Sequence, residues 1–206
     1  SIPMAKTYLD KAYDGGTGDS RALYAQWSDT YDQEVSQNGY ATPGRAAKTL
    51  AQYVTDLNQP ILDYGCGTGL SGLALKLEGF SHIDGLDVSY EMLEIAKKKN
   101  IYRDLLIFNP DHAPPVIKGQ YHIIAAIGVI GVGAAPLPVF DTVMNLLETG
   151  GLFVFSFNDH ALADPSFPAK VDHYTANGLA RLLACNYGDH LPGANLKSNV
   201  YVLEKL

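Results

Sequence analysis

The chain predicts a doubly wound α/β fold with a mostly parallel sheet, on three observations. From residue 60 onward, short apolar runs alternate with helix-length segments; the first run ends in closely spaced glycines; the second ends in an acid. At 206 residues, one domain (1–206) with one sizeable core is expected, built from a helical segment 1–58 and an α/β core 59–206.

The opening third reads as helix broken by turns. After Asp14-Gly15-Gly16-Thr17-Gly18, a helix is expected from Arg21 to about Gln37, with Tyr24, Trp27, Tyr31 and Val35 at spacings of three and four on one face. Thr42-Pro43-Gly44 breaks it, Ala46–Val54 continues, and Asn58-Gln59-Pro60 ends the helical part. Strands are expected at about 60–64, 82–87, 104–108, 121–127 and 151–157, with helices at Leu70–Glu78, Tyr90–Lys99 and Pro138–Leu147 between them. Ser89 is placed to cap the second of these helices, and three lysines crowd its last turn, where the helix dipole favours cations. In the tail, a helix near Thr175–Ala184 and a closing strand at Asn199–Leu203 are expected.

Composition limits the partners. With 18% charged residues and no apolar run near the ~18–20 residues of a bilayer span, the chain is expected to be soluble. A formal charge of -7 supplies no basic surface for phosphates, so a nucleic-acid substrate is not expected. Cys66 and Cys185 lie far apart, and Ser1-Ile-Pro-Met4 has no charged segment followed by an apolar one, so the expected compartment is the cytoplasm. Six scattered histidines lack the pairing of a metal site, and no metal is expected.

The strongest motif is Ile61-Leu-Asp-Tyr-Gly65-Cys-Gly67-Thr-Gly69-Leu-Ser-Gly72: a buried strand, then glycines that permit positive φ and close backbone approach to a ligand, then a helix. A dinucleotide fingerprint counted from Gly65 would need a third glycine where Leu70 stands. Counted as Gly65-x-Gly67-x-Gly69 with Asp63 two residues ahead, the segment resembles motif I of the class I S-adenosylmethionine-dependent methyltransferases. Strand two, His82-Ile-Asp-Gly-Leu-Asp87, ends in a carboxylate placed to accept both hydroxyls of a ribose. The resemblance continues through Leu86–Lys97, Tyr121–Gly128 and Leu147–Ser156. In Trp27-Ser-Asp-Thr-Tyr-Asp32 and Asn38-Gly-Tyr-Ala-Thr-Pro43 the chain is similar to small members akin to the Williams–Beuren-region and predicted tetratricopeptide-associated methyltransferases.

The resemblance implies a seven-stranded Rossmann-like sheet and binding of S-adenosylmethionine, with S-adenosylhomocysteine as product. It puts Gly65, Gly67 and Gly69, with Cys66 in the same loop, against the methionine moiety, Asp87 on the ribose, and Val88 and Met92 on the adenine. Asp63 is expected to order the loop or meet the amino group through water. Asn109, with Asp111 as alternative, is expected to serve the adenine amino group, and Ile127 marks the end of strand four beside the cofactor. An N-terminal aromatic, Tyr24 or Tyr31, closes over the methionine end in this picture, which makes 1–58 a helical lid; a plain core stripe is the competing reading, and Trp27 is assigned to the core.

Methyl transfer needs positioning more than acid–base groups, because the cofactor carries its own leaving group. After strand four the chain has neither acid nor histidine. After strand five come Asn158-Asp159-His160, at the carboxyl edge where open α/β sheets bind ligands. Asp159 and His160 are therefore the catalytic candidates, against a simple capping turn. His173, Tyr174 and His190 form a second polar set, with solvated surface as the bland alternative. A small-molecule acceptor is expected. Two readings compete with a methyltransferase: a nicotinamide-dependent reductase, for which no Tyr-x-x-x-Lys pair stands near strands four or five, and a non-catalytic S-adenosylmethionine sensor.

Overall fold

A computed structural model describes residues 2–3 and 19–206; side chains at positions 2, 3, 19–21, 23, 24 and 38 lie outside that description. Seven strands, β1 (Ile61–Tyr64), β2 (Ile83–Asp87), β3 (Asp104–Ile107), β4 (Ile123–Ala126), β5 (Leu152–Asn158), β6 (Ala180–Leu191) and β7 (Leu196–Lys205), form one mixed sheet in the order β3-β2-β1-β4-β5-β7-β6. The two-residue segment Ile2–Pro3 adds an eighth, antiparallel edge against β3. β1 to β5 are mutually parallel, whereas β7 runs antiparallel to both β5 and β6. The strand order reverses between β1 and β4, and at such a switch point the carboxyl ends of the strands open a crevice.

The expected α/β alternation is present as α1 (Asp19–Asn38), α2 (Thr42–Ala51), α3 (Leu70–Leu77), α4 (Tyr90–Lys98), α5 (Pro138–Leu146), α6 (Asp159–Leu162) and α7 (Ser166–Ala176). Alternation along the strands feeds two cores. Ile61, Ile83, Ile123 and Val154 pack with α2, α3 and α4 on one face, while Leu62, Leu86, Ile124 and Phe155 pack with α5 and α7 on the other. Trp27 of α1 is buried in the first core, as assigned from sequence. Ser89 caps α4 by accepting the Met92 amide, and Lys97 and Lys98 occupy its last turn. No described helix is long and apolar enough to cross a membrane.

The tail departs from expectation. The helix expected at Thr175–Ala184 is instead the end of α7 followed by β6. Gly178 adopts φ +67°, a left-handed conformation that stops the helix, and residues 180–191 pair with almost the whole of β7. β6 is an edge strand whose residues are mostly exposed or half-buried, so it lacks the alternation that marks a strand in sequence.

Candidate functional site

Asp63 is the buried anchor of the glycine loop. Its Oδ2 accepts hydrogen bonds from the Ser71 and Tyr102 hydroxyls, each at 2.7 Å, while Oδ1 is buried with no partner. Burial pushes its carboxyl up to about 6, against the lowering effect of those two bonds. Above it, Gly65, Gly67 and Gly69 have φ of +72°, +54° and +96°. The amides of Gly65 and Cys66 both donate to the Leu86 carbonyl, and Lys99 Nζ donates to Thr68 O at 2.6 Å while pairing with Glu34 of α1 at 3.1 Å. The loop is thereby tied to β2, α4 and α1 at once.

The three glycines differ in what surrounds them. A Cβ on Gly65 would collide with Val129, and one on Gly69 would press on Tyr102 and Lys99; on Gly67 it would meet nothing within 4 Å. The bare backbone at Gly67 therefore opens outward. Asp87 at the end of β2 fixes that backbone: Oδ1 accepts the Gly67 amide at 3.1 Å and Oδ2 the Ser89 amide at 3.0 Å, which leaves each oxygen a further lone pair. Beside them lies a cleft of about 890 Å³ lined by Tyr64, Gly65, Asp87, Val88 and Phe108, with the irregular segments around Pro114 and Gly128 as its far walls. That volume lies within the range of small-molecule and cofactor sites.

A second, smaller chamber of about 140 Å³ shares Gly128 and Ala134 with the cleft and reaches Tyr40, Ser156, Asn158 and His190. Here β5 and the β6–β7 hairpin meet the start of α2. His190 is buried; its Nδ1 lies 2.7 Å from Thr42 Oγ1, which lies 2.7 Å from Ser198 Oγ, and Arg45 donates to Ser198 Oγ at 3.0 Å. Tyr40 packs edge-on against the imidazole at 5.1 Å. Burial first, and then the Arg45 guanidinium, hold His190 below the usual imidazole value, so it is kept neutral. Ser156 Oγ accepts the Gly128 amide at 2.8 Å, binding the loop after β4 to β5.

The sequence-predicted residues divide between these features. Gly65, Asp87 and Val88 line the cleft, and Gly67 and Gly69 shape the loop beneath it. Cys66 contributes backbone only, because its side chain is buried in the core and its thiol faces Gly85. Ile127 is likewise core. Met92, 43% exposed on α4, does not line the cleft, and neither do Asn109 or Asp111; Asn109 Oδ1 instead accepts the Asp111 amide in a turn. Tyr31 turns its hydroxyl to Gly44, and the Tyr24 side chain lies outside the described residues.

The N-terminal aromatic that lines the chamber is Tyr40. Sequence reasoning missed it, although it stands in the Asn38–Pro43 segment that carries the resemblance. Asp159 and His160 are not in the chamber. Asp159 accepts the Tyr187 hydroxyl at 2.6 Å and the Lys197 amide at 2.9 Å, which hold the hairpin, and His160 is exposed on α6. Asn158 caps α6, as the bland reading had it, and also lines the chamber. His173 is exposed on α7 and Tyr174 donates to Asp141, whereas His190 lines the chamber, as a strand residue rather than on a loop.

Comparison with known proteins bears on this geometry. A family model described as a methyltransferase domain matches residues 38–191. Human methyltransferase-like protein 27 is 30% identical over 133 residues, 63% of this chain and 54% of the relative. The yeast (Saccharomyces cerevisiae) 18S rRNA (guanine(1575)-N(7))-methyltransferase is 31% identical over 125 residues, 54% of this chain and 46% of the relative. The chain thus spans about half the length of the relatives it matches. Among solved structures, a Listeria monocytogenes protein proposed to be a class I S-adenosylmethionine-dependent methyltransferase superposes with a TM-score of 0.61 at 20% identity, over 80% of this chain and 60% of its own. At that identity the likeness shows the fold alone.

Proposed function

The chain belongs to the family of methyltransferase domains, and from that premise we propose that it transfers the methyl group of S-adenosylmethionine to a small-molecule acceptor. The observation that carries the reading is the loop over Asp63, where three left-handed glycines present an open backbone at Gly67, fixed by Asp87 beside a cleft of about 890 Å³. In this reading Gly65, Gly67 and Gly69 hold the methionine part and the free lone pairs of Asp87 take the ribose hydroxyls. Val88 lies along the adenine. The unpartnered Oδ1 of Asp63 answers the ligand's ammonium, directly or through a water.

The bound cofactor supplies an electrophilic methyl with its own leaving group, so the chain's task is to bind, orient and exclude water. In this reading α1 and α2 cover the methionine end, with Tyr40, in the turn between them, as the aromatic contact, and 59–206 holds the cofactor. We place the protein in the cytoplasm on its two free cysteines, Cys66 and Cys185.

A macromolecular acceptor is the second reading, favoured by the rRNA methyltransferase among the relatives. The charge of -7 and the small, polar chamber of about 140 Å³ support the small molecule instead. Incubation with methyl-labelled S-adenosylmethionine and, in separate reactions, a small-metabolite extract, rRNA and ribosomal protein decides between them. Label in the extract alone supports the proposal; label in rRNA or protein alone overturns its acceptor class.

A further inference from the structure

The chamber's hydrogen-bonding polarity says what it accepts. Arg45 can only donate, so Ser198 Oγ accepts from it; we assign Ser198 as donor to Thr42 and Thr42 as donor to His190 Nδ1, the direction in which no hydroxyl hydrogen is left without an acceptor. That direction uses every hydroxyl hydrogen in the chain and leaves the proton of the neutral imidazole on Nε2, available to the chamber that His190 lines. Asn158 Oδ1 is occupied by the Ala161 amide, which turns its NH₂ group free. Ser156 Oγ is occupied by the Gly128 amide, which leaves its hydrogen to give. Tyr40, its hydroxyl pushed up to about 12 by burial, keeps its proton.

Four donors thus border a chamber whose lining contains no Asp, Glu, Lys or Arg. An ammonium would find no anion there, and an alcohol would find no free base. The charged and titratable groups around the imidazole are Arg45 from α2 and Asp159 and His160 from α6, and none of them lines the chamber.

We propose that this chamber is the acceptor site and that it takes a carboxylate. This deepens the methyltransferase reading and rests on it. A carboxylate oxygen is already an anion at neutral pH and accepts hydrogen bonds from every side of such a chamber. The step balances without a base: the new O–CH₃ bond forms as the S–CH₃ bond breaks, and the electron pair of the broken bond stays on sulfur. Sulfonium and carboxylate become neutral thioether and neutral ester, and no proton moves.

The test uses the whole chain loaded with S-adenosylhomocysteine and two small probes of one shape, acetate and acetamide. Nuclear magnetic resonance of the isotope-labelled protein follows Gly67 and Gly69, the Asn158 side-chain amide and the His190 ring. The expected result is that acetate moves Asn158 and His190 and acetamide does not. Equal effects of the two probes, or none from acetate, overturn the proposal while leaving the cofactor reading intact. If S-adenosylhomocysteine itself leaves Gly67 and Gly69 unmoved, the methyltransferase reading fails before the chamber is reached. His190→Phe is expected to retain S-adenosylhomocysteine and to weaken acetate roughly tenfold; undiminished acetate binding removes His190 from the site. With methyl-labelled S-adenosylmethionine and a metabolite extract, product label is expected to be released by mild alkali as volatile methanol, as from an ester. Label that survives alkali overturns the carboxylate assignment.

Discussion

The cleft and the chamber adjoin at Gly128, yet they are built in opposite ways. The cleft is made of backbone: left-handed glycines, amides held by a single carboxylate, and apolar walls at Val88 and Phe108. Its key groups lie within the short stretch from Asp63 to Ser89. The chamber is made of side chains drawn from Tyr40, Ser156, Asn158 and His190, and its central contact, Thr42 to His190, spans 148 positions. A site made of backbone is sensitive to added atoms, whereas a site made of a side-chain network is sensitive to lost ones. The comparison can be broken or sharpened by substitution on each side.

The largest effect is expected at Gly67. A Cβ at Gly67 would meet nothing within 4 Å, so Gly67→Val is expected to cost the fold mainly the strained φ, about 1–2 kcal/mol; it should nevertheless weaken S-adenosylmethionine at least ~100-fold by filling the cradle. Gly72→Ala makes the complementary case: its Cβ would collide with the Tyr102 hydroxyl, so a loss of about 2–3 kcal/mol in thermal or denaturant unfolding is expected. A Gly67 variant that unfolds, or one that binds normally, breaks the distinction between cradle and packing.

Next in size is the pH dependence of Asp63. Its folded pKa of about 6 lies above the unfolded value, so its contribution is fully present below about pH 4 and is lost as pH rises through 6; the ionised carboxylate costs about 3 kcal/mol at pH 7. The unliganded protein should therefore gain stability from this group between pH 7 and 5, and Asp63→Asn should flatten the gain. Cofactor affinity should run the other way, falling below about pH 6 as the partner of the ligand ammonium is neutralised. Calorimetric titrations at pH 5.5 and 7.5 check the sign, and equal affinity at both removes Asp63 from the ammonium site.

On the chamber side, Thr42→Val cuts the chain from Ser198 to His190 and should cost about 1–2 kcal/mol, with S-adenosylhomocysteine affinity unchanged within about twofold. A large loss of cofactor affinity would mean that the two regions are one. The smallest effect belongs to Asp159→Asn, with the unfolding transition essentially unmoved and less than about threefold lost in methyl transfer, because Asp159 is bound to the hairpin rather than to the chamber.

The same division explains how much of the molecule was legible in the sequence. Gly65, Gly67, Gly69 and Asp87 were readable because strand, turn and acid follow one another locally, and the element order of the parallel core followed from alternating apolar runs. Two misassignments have a common cause. The helix expected at Thr175–Ala184 overruns the start of β6 because an exposed edge strand shows no alternation, and with the hairpin unseen nothing could bring His190 to Thr42 or divert Asp159 to Tyr187 and Lys197. Met92 and Asn109 fall outside the lining of the cleft for a smaller reason. Sequence spacing placed them near the cleft but not the direction of their side chains, which helix α4 and the Asn109–Asp111 turn decide.

The most direct test is isothermal titration of the protein with S-adenosylmethionine, S-adenosylhomocysteine and NADH in parallel, repeated on Gly67→Val. Saturable binding of the first two alone, lost in the variant, is the predicted result. Binding of NADH, or binding of S-adenosylmethionine that survives in Gly67→Val, would contradict the assignment of the Gly65–Asp87 loop as the cofactor cradle.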